Sequence, residues 1–190
     1  MRTFIAIPLP QEIKAFLAEL QNELKTSGAE VKWVEPENIH LTLKFLGERD
    51  DKKIKEISNI LEEAVKNKKQ FLARLSTLGA FPKITSPRVI WVGIDRGDEE
   101  TKLIAAELEE KISRTGIPKE EKAFSSHITI ARTKSSKNIA ELIKGLNVCA
   151  DKLGEEKAEF PVRQIVLYKS TLTPKGPIYQ ALKEVNLKTI

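Results

Sequence analysis

Two short runs constrain this chain more than anything else in it: Asn38-Ile39-His40-Leu41-Thr42-Leu43-Lys44-Phe45-Leu46-Gly47 and Ser126-His127-Ile128-Thr129-Ile130-Ala131. In each, apolar and polar residues alternate, the mark of a β-strand with one buried and one open face. Strand side chains leave on alternate faces. His40, Thr42 and Lys44 are therefore expected on one side, and Ile39, Leu41, Leu43 and Phe45 on the other. The second run puts His127 and Thr129 together, backed by Ile128 and Ile130. These are the chain's two histidines, and each has threonine two residues on. With 12 threonines in 190 residues, composition alone gives both histidines that neighbour in roughly 0.4% of cases.

The surroundings of the two runs repeat as well. Strands are expected at Thr3–Ile7, Val31–Val34, Phe71–Leu78, Arg88–Ile94, Val162–Leu172 and Ile178–Leu187. Amphipathic helices are expected after Pro10, Asp50, Asp98 and Ser136. Their apolar stripes run through Ile13/Leu17/Leu20/Leu24, Ile54/Ile57/Leu61, Leu103/Ala106/Ile112 and Ile139/Leu142/Leu146. Asp151–Glu159 reads as loop or weak strand. Each half runs strand, helix, His-Thr strand, helix, strand, and 35 positions separate Ile5 from His40 and Val92 from His127. The expected fold is α+β and bilobal: two pseudo-symmetric antiparallel sheets facing a central cleft, with helices outside, in one domain over residues 1–190. Gly79–Pro87, with two prolines, is the best candidate for the crossing between lobes.

Two imidazoles facing one cleft can give and take a proton in the same step. Displacement at phosphorus needs that: the nucleophile loses a proton on one side as the leaving oxygen gains one on the other. The threonine hydroxyls, on the same faces, can donate to the non-bridging oxygens as charge grows there. Such chemistry needs no cofactor. His-Thr is poor ligand chemistry, and no His-Glu-x-x-His or paired-cysteine spacing is present, so no metal is expected. A structural, hydrogen-bonded fate remains the alternative for either histidine taken alone.

The wider context carries a resemblance. Phe4-Ile5-Ala6-Ile7, Val31-Lys32-Trp33-Val34, Pro36 through Gly47, Gly79-Ala80-Phe81-Pro82, Pro87-Arg88-Val89-Ile90-Trp91, His127-Ile128-Thr129-Ile130-Ala131-Arg132, Leu167-Tyr168-Lys169-Ser170 and Gly176-Pro177-Ile178-Tyr179 together resemble the two-histidine phosphoesterase superfamily. Within it they look like the RNA 2′,3′-cyclic phosphodiesterases, also called 2′-5′ RNA ligases. The resemblance implies hydrolysis of an RNA 2′,3′-cyclic phosphate, such as the end of a tRNA fragment, to a 2′-phosphomonoester. It implies His40 as proton donor to the leaving 3′ oxygen, His127 as the base for water, and Thr42 and Thr129 as phosphate holders. It also admits ligation, with an RNA 5′-hydroxyl in place of water. Spacing alone does not say which histidine is acid and which is base. The family often has proline before the second histidine, where this chain has Ser126. Two other readings stay open: a non-catalytic RNA- or nucleotide-binding module, and a sister enzyme acting on another cyclic phosphate or on 2′-5′ linkages.

Further candidate substrate contacts are Lys44 on the His40 face, Arg132 at the end of the second strand, Tyr168 and Tyr179 as stacking rings, and Lys175 in the Thr173–Pro177 turn. On strict alternation Arg132 falls on the face opposite His127. Trp33 and Trp91 could also stack on bases, and for all four rings core packing is the competing and favoured fate. A formal charge of +5 mildly favours polyanionic partners. Cys149 is the single cysteine, which excludes an intrachain disulfide and fits a reducing cytoplasm. Met1–Pro10 does not read as a signal peptide, and no run is long enough to span a membrane. A monomer is expected, since no surface stripe argues for a dimer.

Overall fold

The computed structural model describes residues 1–189. In chain order its elements are β1 (Arg2–Pro8), α1 (Gln11–Lys25), β2 (Val31–Trp33), a 3-10 turn (Pro36–Asn38), β3 (His40–Glu48), α2 (Asp51–Val65), β4 (Phe71–Lys83), β5 (Ser86–Ile94), α3 (Asp98–Ser113), β6 (His127–Thr133), α4 (Ile139–Glu156), β7 (Glu159–Val162), β8 (Gln164–Thr173) and β9 (Gly176–Asn186). The strands follow the order β7-β4-β5-β6-β3-β1-β8-β9, with β2 added beside β6. That order has a pseudo-two-fold in it. β3, β1, β8 and β9 mirror β6, β5, β4 and β7, and the two quartets join where Leu41 of β3 pairs with Ile128 of β6.

The lobes are interleaved in sequence. The first half of the chain places β1 and β3 in one lobe and β4 in the other; the second half places β5 and β6 in the second lobe and returns β8 and β9 to the first. The crossings therefore fall at α1, at the Pro36–Asn38 turn, at α2 and, between β7 and β8, at Arg163. Gly79–Pro87 does not cross. It forms the tip of the β4–β5 hairpin, paired from Gly79↔Trp91 to Lys83↔Ser86 within one lobe. Its prolines pair there at the open end of the hairpin, where a missing N–H costs little. α2 and α3 lie together behind the β3–β1–β8–β9 lobe, and α1 and α4 behind the other. One continuous core runs beneath both, through Ile5, Leu17, Leu41, Ile57, Ile90, Leu108, Ile128 and Leu146. Each such side chain contributes about 1.5–3 kcal/mol by leaving water.

Local signals placed the helix starts only in part. Asp50 accepts from the Lys53 N–H at 2.8 Å and starts α2 as expected of a capping aspartate. The other two expected caps are displaced by one or two residues. Gly97 (φ 79°) stands at the cap position of α3, with Asp98 as first helical residue, and Asn138 precedes α4 in place of Ser136. α4 also continues through Asp151–Glu156, which had no clear pattern because exposed charges surround its one anchoring side chain, buried Leu153. The expected strand Val162–Leu172 is two: β7 pairs with β4, and beyond Arg163 the chain turns to pair with β1 and β9.

Candidate active site

His40 enters β3 directly from the 3-10 turn, and that turn orients it. Its Nδ1 lies 2.7 Å from the Asn38 carbonyl, which can only accept, so Nδ1 carries the proton and donates. Nε2 is then the acceptor of the pair it forms with the Thr42 hydroxyl at 2.9 Å. The ring stacks on Phe4 at 4.8 Å and meets the edge of Tyr179 at 5.4 Å. His127 repeats this from the other lobe: its Nδ1 donates to the carbonyl of Ser125, again two residues back, at 2.8 Å. Phe81 stands edge-on to it at 5.2 Å and Trp91 lies 6.4 Å away. Both imidazoles are thus held by Nδ1, and the Nε2 of His40 meets the Thr42 hydroxyl. Because Leu41 pairs with Ile128 in antiparallel sense, His40 falls beside Thr129 and Thr42 beside His127. Two acid-base groups and two hydroxyls share one patch.

Strict alternation fails just past each threonine, and for the same reason in both strands. β1 pairs Ala6 with Thr42 but Ile5 with Lys44, leaving Leu43 as an extra residue. β5 pairs Trp91 with Thr129 but Ile90 with Ala131, leaving Ile130 extra. Each is a β-bulge, which sends the following side chains to the other face. Lys44 therefore points under the sheet: its side chain is 1% exposed and pairs with Glu109 of α3 at 2.7 Å. The expectation that Lys44 faces RNA is wrong for this reason, and Phe45 takes its place on the open face, 61% exposed. The bulge has the opposite effect on Arg132, bringing it onto the His127 face, paired with Val89 and with Lys32 of β2. Buried Gln21 of α1 braces that bulge, donating to the carbonyls of Val34 and Ile130 at 2.8 and 2.9 Å.

Two cavities flank the histidines. One, of about 350 Å³, has Lys14, Asn38, His40, Tyr168, Pro177 and Tyr179 in its wall. The β8–β9 hairpin curls over it, and Asn38 Nδ2 donates to the Pro177 carbonyl at 2.9 Å. Tyr168 and Tyr179 are half-buried in its wall, and burial raises the phenol pKa of each. Lys175 sits exposed in the hairpin turn, with its main-chain N–H on the Thr173 hydroxyl at 3.2 Å. The second cavity, about 250 Å³, lies by His127 and is lined by Trp91, Asp98, Lys102, Phe124, Ser125 and Ser126. Trp91 belongs to the cleft, whereas Trp33 packs on the core. The Trp91 indole lies across Gly79 and Gly93, where a Cβ would come within 2.4 and 3.2 Å of the ring. Phe4 and Phe81 entered the sequence reading only within longer runs, and neither they nor Lys14 were site candidates there. A single ring on a strand or a lysine in the first turn of a helix carries no pattern of its own.

Burial depresses the His40 pKa, its bond to Asn38 opposes this, and the charge of Lys14 depresses it further. Cys149 is buried in α4 near Glu23, and burial with that carboxylate pushes its thiol up to about 11, which removes it as a nucleophile. Among the described residues no three metal-ligating side chains converge.

A family profile described as LigT like phosphoesterase matches the chain twice, over residues 7–91 and 92–179. The RNA 2′,3′-cyclic phosphodiesterase of Methanocaldococcus jannaschii is 40% identical over 184 residues, covering 97% of this chain and 99% of the relative. That of Thermotoga maritima is 40% identical over 185 residues, with 97% and 94% covered. Among solved structures, the protein TT0787 of Thermus thermophilus superposes with a TM-score of 0.80 at 29% identity, over 100% of this chain and 99% of that one. Escherichia coli LigT complexed with 3′-AMP gives 0.77 at 25% identity, over 98% of each chain.

Proposed function

The chain belongs to the LigT-like phosphoesterases, and we propose that its one bilobal domain, residues 1–190, is an enzyme that hydrolyses RNA 2′,3′-cyclic phosphate ends to 2′-phosphomonoesters without a metal. The observation that supports this reading is the mirrored anchoring of the imidazoles: each Nδ1 is committed to a carbonyl two residues back, and the antiparallel Leu41–Ile128 pairing sets each histidine beside the other lobe's threonine. A binding module has no use for two matched proton-transfer groups.

The step proceeds as an in-line displacement. Water attacks phosphorus from the second lobe's side, and His127 Nε2 takes its proton as the new O–P bond forms. The P–O3′ bond breaks, and protonated His40 delivers its Nε2 proton to O3′. The phosphate stays on O2′. Thr42 and Thr129 donate to the non-bridging oxygens; Thr42 turns from His40 Nε2 to do so. Arg132, brought to the His127 face by the bulge, adds positive charge at the patch. An RNA 5′-hydroxyl in place of water would give a 2′-5′ linkage by the same proton movements. Tyr168 and Tyr179 border the cavity on the leaving-group side and are the residues for the terminal nucleoside; Lys175, at the hairpin tip, reaches only a longer RNA. We place the enzyme in the cytoplasm as a monomer; no helix described is long and apolar enough to cross a membrane.

The test is a short RNA ending in a 2′,3′-cyclic phosphate, incubated in the presence of EDTA with wild type, His40→Asn and His127→Asn. Wild type should leave the phosphate on O2′, and each variant should lose about 10²–10⁴-fold in turnover. A 3′-phosphate product, or a variant as active as wild type, overturns the reading.

A further inference from the structure

Each histidine has its own cavity, and the two correspond under the 87-position repeat. Glu37, Asn38 and Ile39 line the first; Phe124, Ser125 and Ser126, 87 positions on, line the second. Their chemistry differs. Where the first has buried, apolar Ile39, the second has the hydroxyl of Ser126, a residue only 7% exposed. The Asp98 carboxylate is close to that hydroxyl, yet among the described residues no hydrogen bond of ordinary length and angle reaches Ser126 Oγ. Trp91, in the same wall, likewise has a buried indole N–H without an acceptor. Buried polar groups left unpaired are rare and costly, so two at one cavity mark a place where a ligand completes the bonding. Aromatic faces stand beside them, Trp91 itself and the half-buried Phe124. Asp98, paired with Lys102 at 2.7 Å, adds a carboxylate that is 24% exposed and accepts from hydroxyl or amino groups. Rings, a free hydroxyl, a free N–H and a carboxylate together suit a nucleoside, whose base has apolar faces and a polar edge and whose ribose has hydroxyls.

The place of the cavity decides which nucleoside. It adjoins His127, whose Nδ1 is held by the Ser125 carbonyl and whose ring lies 6.4 Å from Trp91. An in-line displacement brings its nucleophile from this side, while O3′ of the cyclic phosphate departs toward His40 and the first cavity. We propose that the second cavity is a subsite for the nucleoside that carries the attacking hydroxyl, the 5′-terminal nucleoside of a second RNA strand, held by Ser126, Trp91 and Phe124. This role rests on the cyclic-phosphate reading and deepens it. The 5′-hydroxyl gives its proton to His127 as the O5′–P bond forms; the P–O3′ bond breaks, and O3′ takes the proton of His40. The product is a 2′-5′ phosphodiester, and no other reactant is consumed. Holding the strand raises the effective concentration of its hydroxyl against that of water. Occupancy of the cavity therefore sets the partition between ligation and hydrolysis, and hydrolysis does not draw on Ser126.

The chain has two tryptophans, so NMR shows two indole N–H signals, assigned with Trp33→Phe. The probe is a short RNA with hydroxyls at both ends, which has no cyclic phosphate to react. Titrated in, it should shift the Trp91 signal and leave that of Trp33 in place. Ser126→Ala should raise the midpoint of this titration by about 3- to 10-fold, the loss of one hydrogen bond. Phe124→Leu, which keeps an apolar side chain but not the ring, should raise it by about 5-fold or more. With a cyclic-phosphate RNA added and the 5′-hydroxyl strand below saturation, Ser126→Ala should lower ligation by the same factor and keep hydrolysis within about twofold. An unmoved Trp91 signal overturns the proposal, and so do wild-type midpoints in both variants. An equal fall of ligation and hydrolysis in Ser126→Ala also overturns it, since the residue would then only seat His127. If signal and midpoints behave as expected while wild type leaves the cyclic phosphate unreacted, it is the function that fails and the nucleoside subsite stands.

Discussion

Gly79 is the position where one methyl group should do most damage. A Cβ there would lie 2.4, 2.6 and 2.9 Å from three carbons of the Trp91 indole, where ordinary contact begins at 3.4 Å. The ring must move by about 1 Å, and Gly93 on its other flank leaves only 3.2 Å for a Cβ, so the site is already close. Overpacking of this kind costs about 1–3 kcal/mol, which in a chain of this size lowers Tm by about 3–10 °C. The indole also backs His127 at 6.4 Å and Phe81 at 5.2 Å. A displacement that reaches the imidazole costs up to about 10²-fold in kcat. The assay is a double-mutant cycle of Gly79→Ala and Trp91→Leu, read by thermal melting and by turnover of a cyclic-phosphate RNA. In the Trp91→Leu background the alanine should cost far less, because the atoms it strikes are gone, giving a coupling of about 1–2 kcal/mol. Strictly additive losses would show that the clash is not what Gly79 avoids.

Three further outcomes follow from the geometry. His40→Asn/His127→Asn together should be little worse than either alone, since both groups serve one step; multiplicative losses in turnover would mean that they act in separate steps. Lys44→Met should retain turnover and a Tm within a few degrees of wild type, because the carboxylate it leaves behind, Glu109, is 24% exposed to water and also accepts from the Glu120 N–H at 2.8 Å. Glu109→Gln, which strands the buried ammonium, should cost about 3–5 kcal/mol by urea denaturation, and an RNA-contact role for Lys44 would instead show as a raised KM in Lys44→Met. The pH dependence of stability has a definite sign. Burial, with Lys14 added, holds the His40 pKa below its ordinary 6.5. Between the two values the unfolded chain binds a proton that the native one refuses, so stability is full above about 6.5 and declines as pH falls through the native value. Urea midpoints from about pH 5 to 7.5 should therefore fall on acidification less in His40→Gln than in wild type, and parallel curves would exclude the linkage.

Period-two alternation was enough to place His40, Thr42, His127 and Thr129 on open faces, because it reads one strand at a time and each strand is regular up to its threonine. It misplaced Lys44 and could not bring in Arg132. A bulge is set by the neighbouring strand, and nothing in Leu43 or Ile130 differs from an ordinary core residue. The Gly79–Pro87 hairpin was hidden likewise, since its prolines read as loop and only pairing with Ser86–Trp91 makes them strand. Lys14 gave no signal at all; its position follows from how α1 leaves β1.

By itself the chain of residues determined the polar pattern of the site: two imidazole–hydroxyl strands, duplicated with equal spacing in a sequence with a single thiol. Those are local facts, carried by side-chain type and alternation. The interleaving of the lobes, the meeting of β3 and β6 at Leu41 and Ile128, and the bulges that turn Lys44 inward and Arg132 outward belong to the fold alone. They depend on contacts between residues tens of positions apart, which one core decides together.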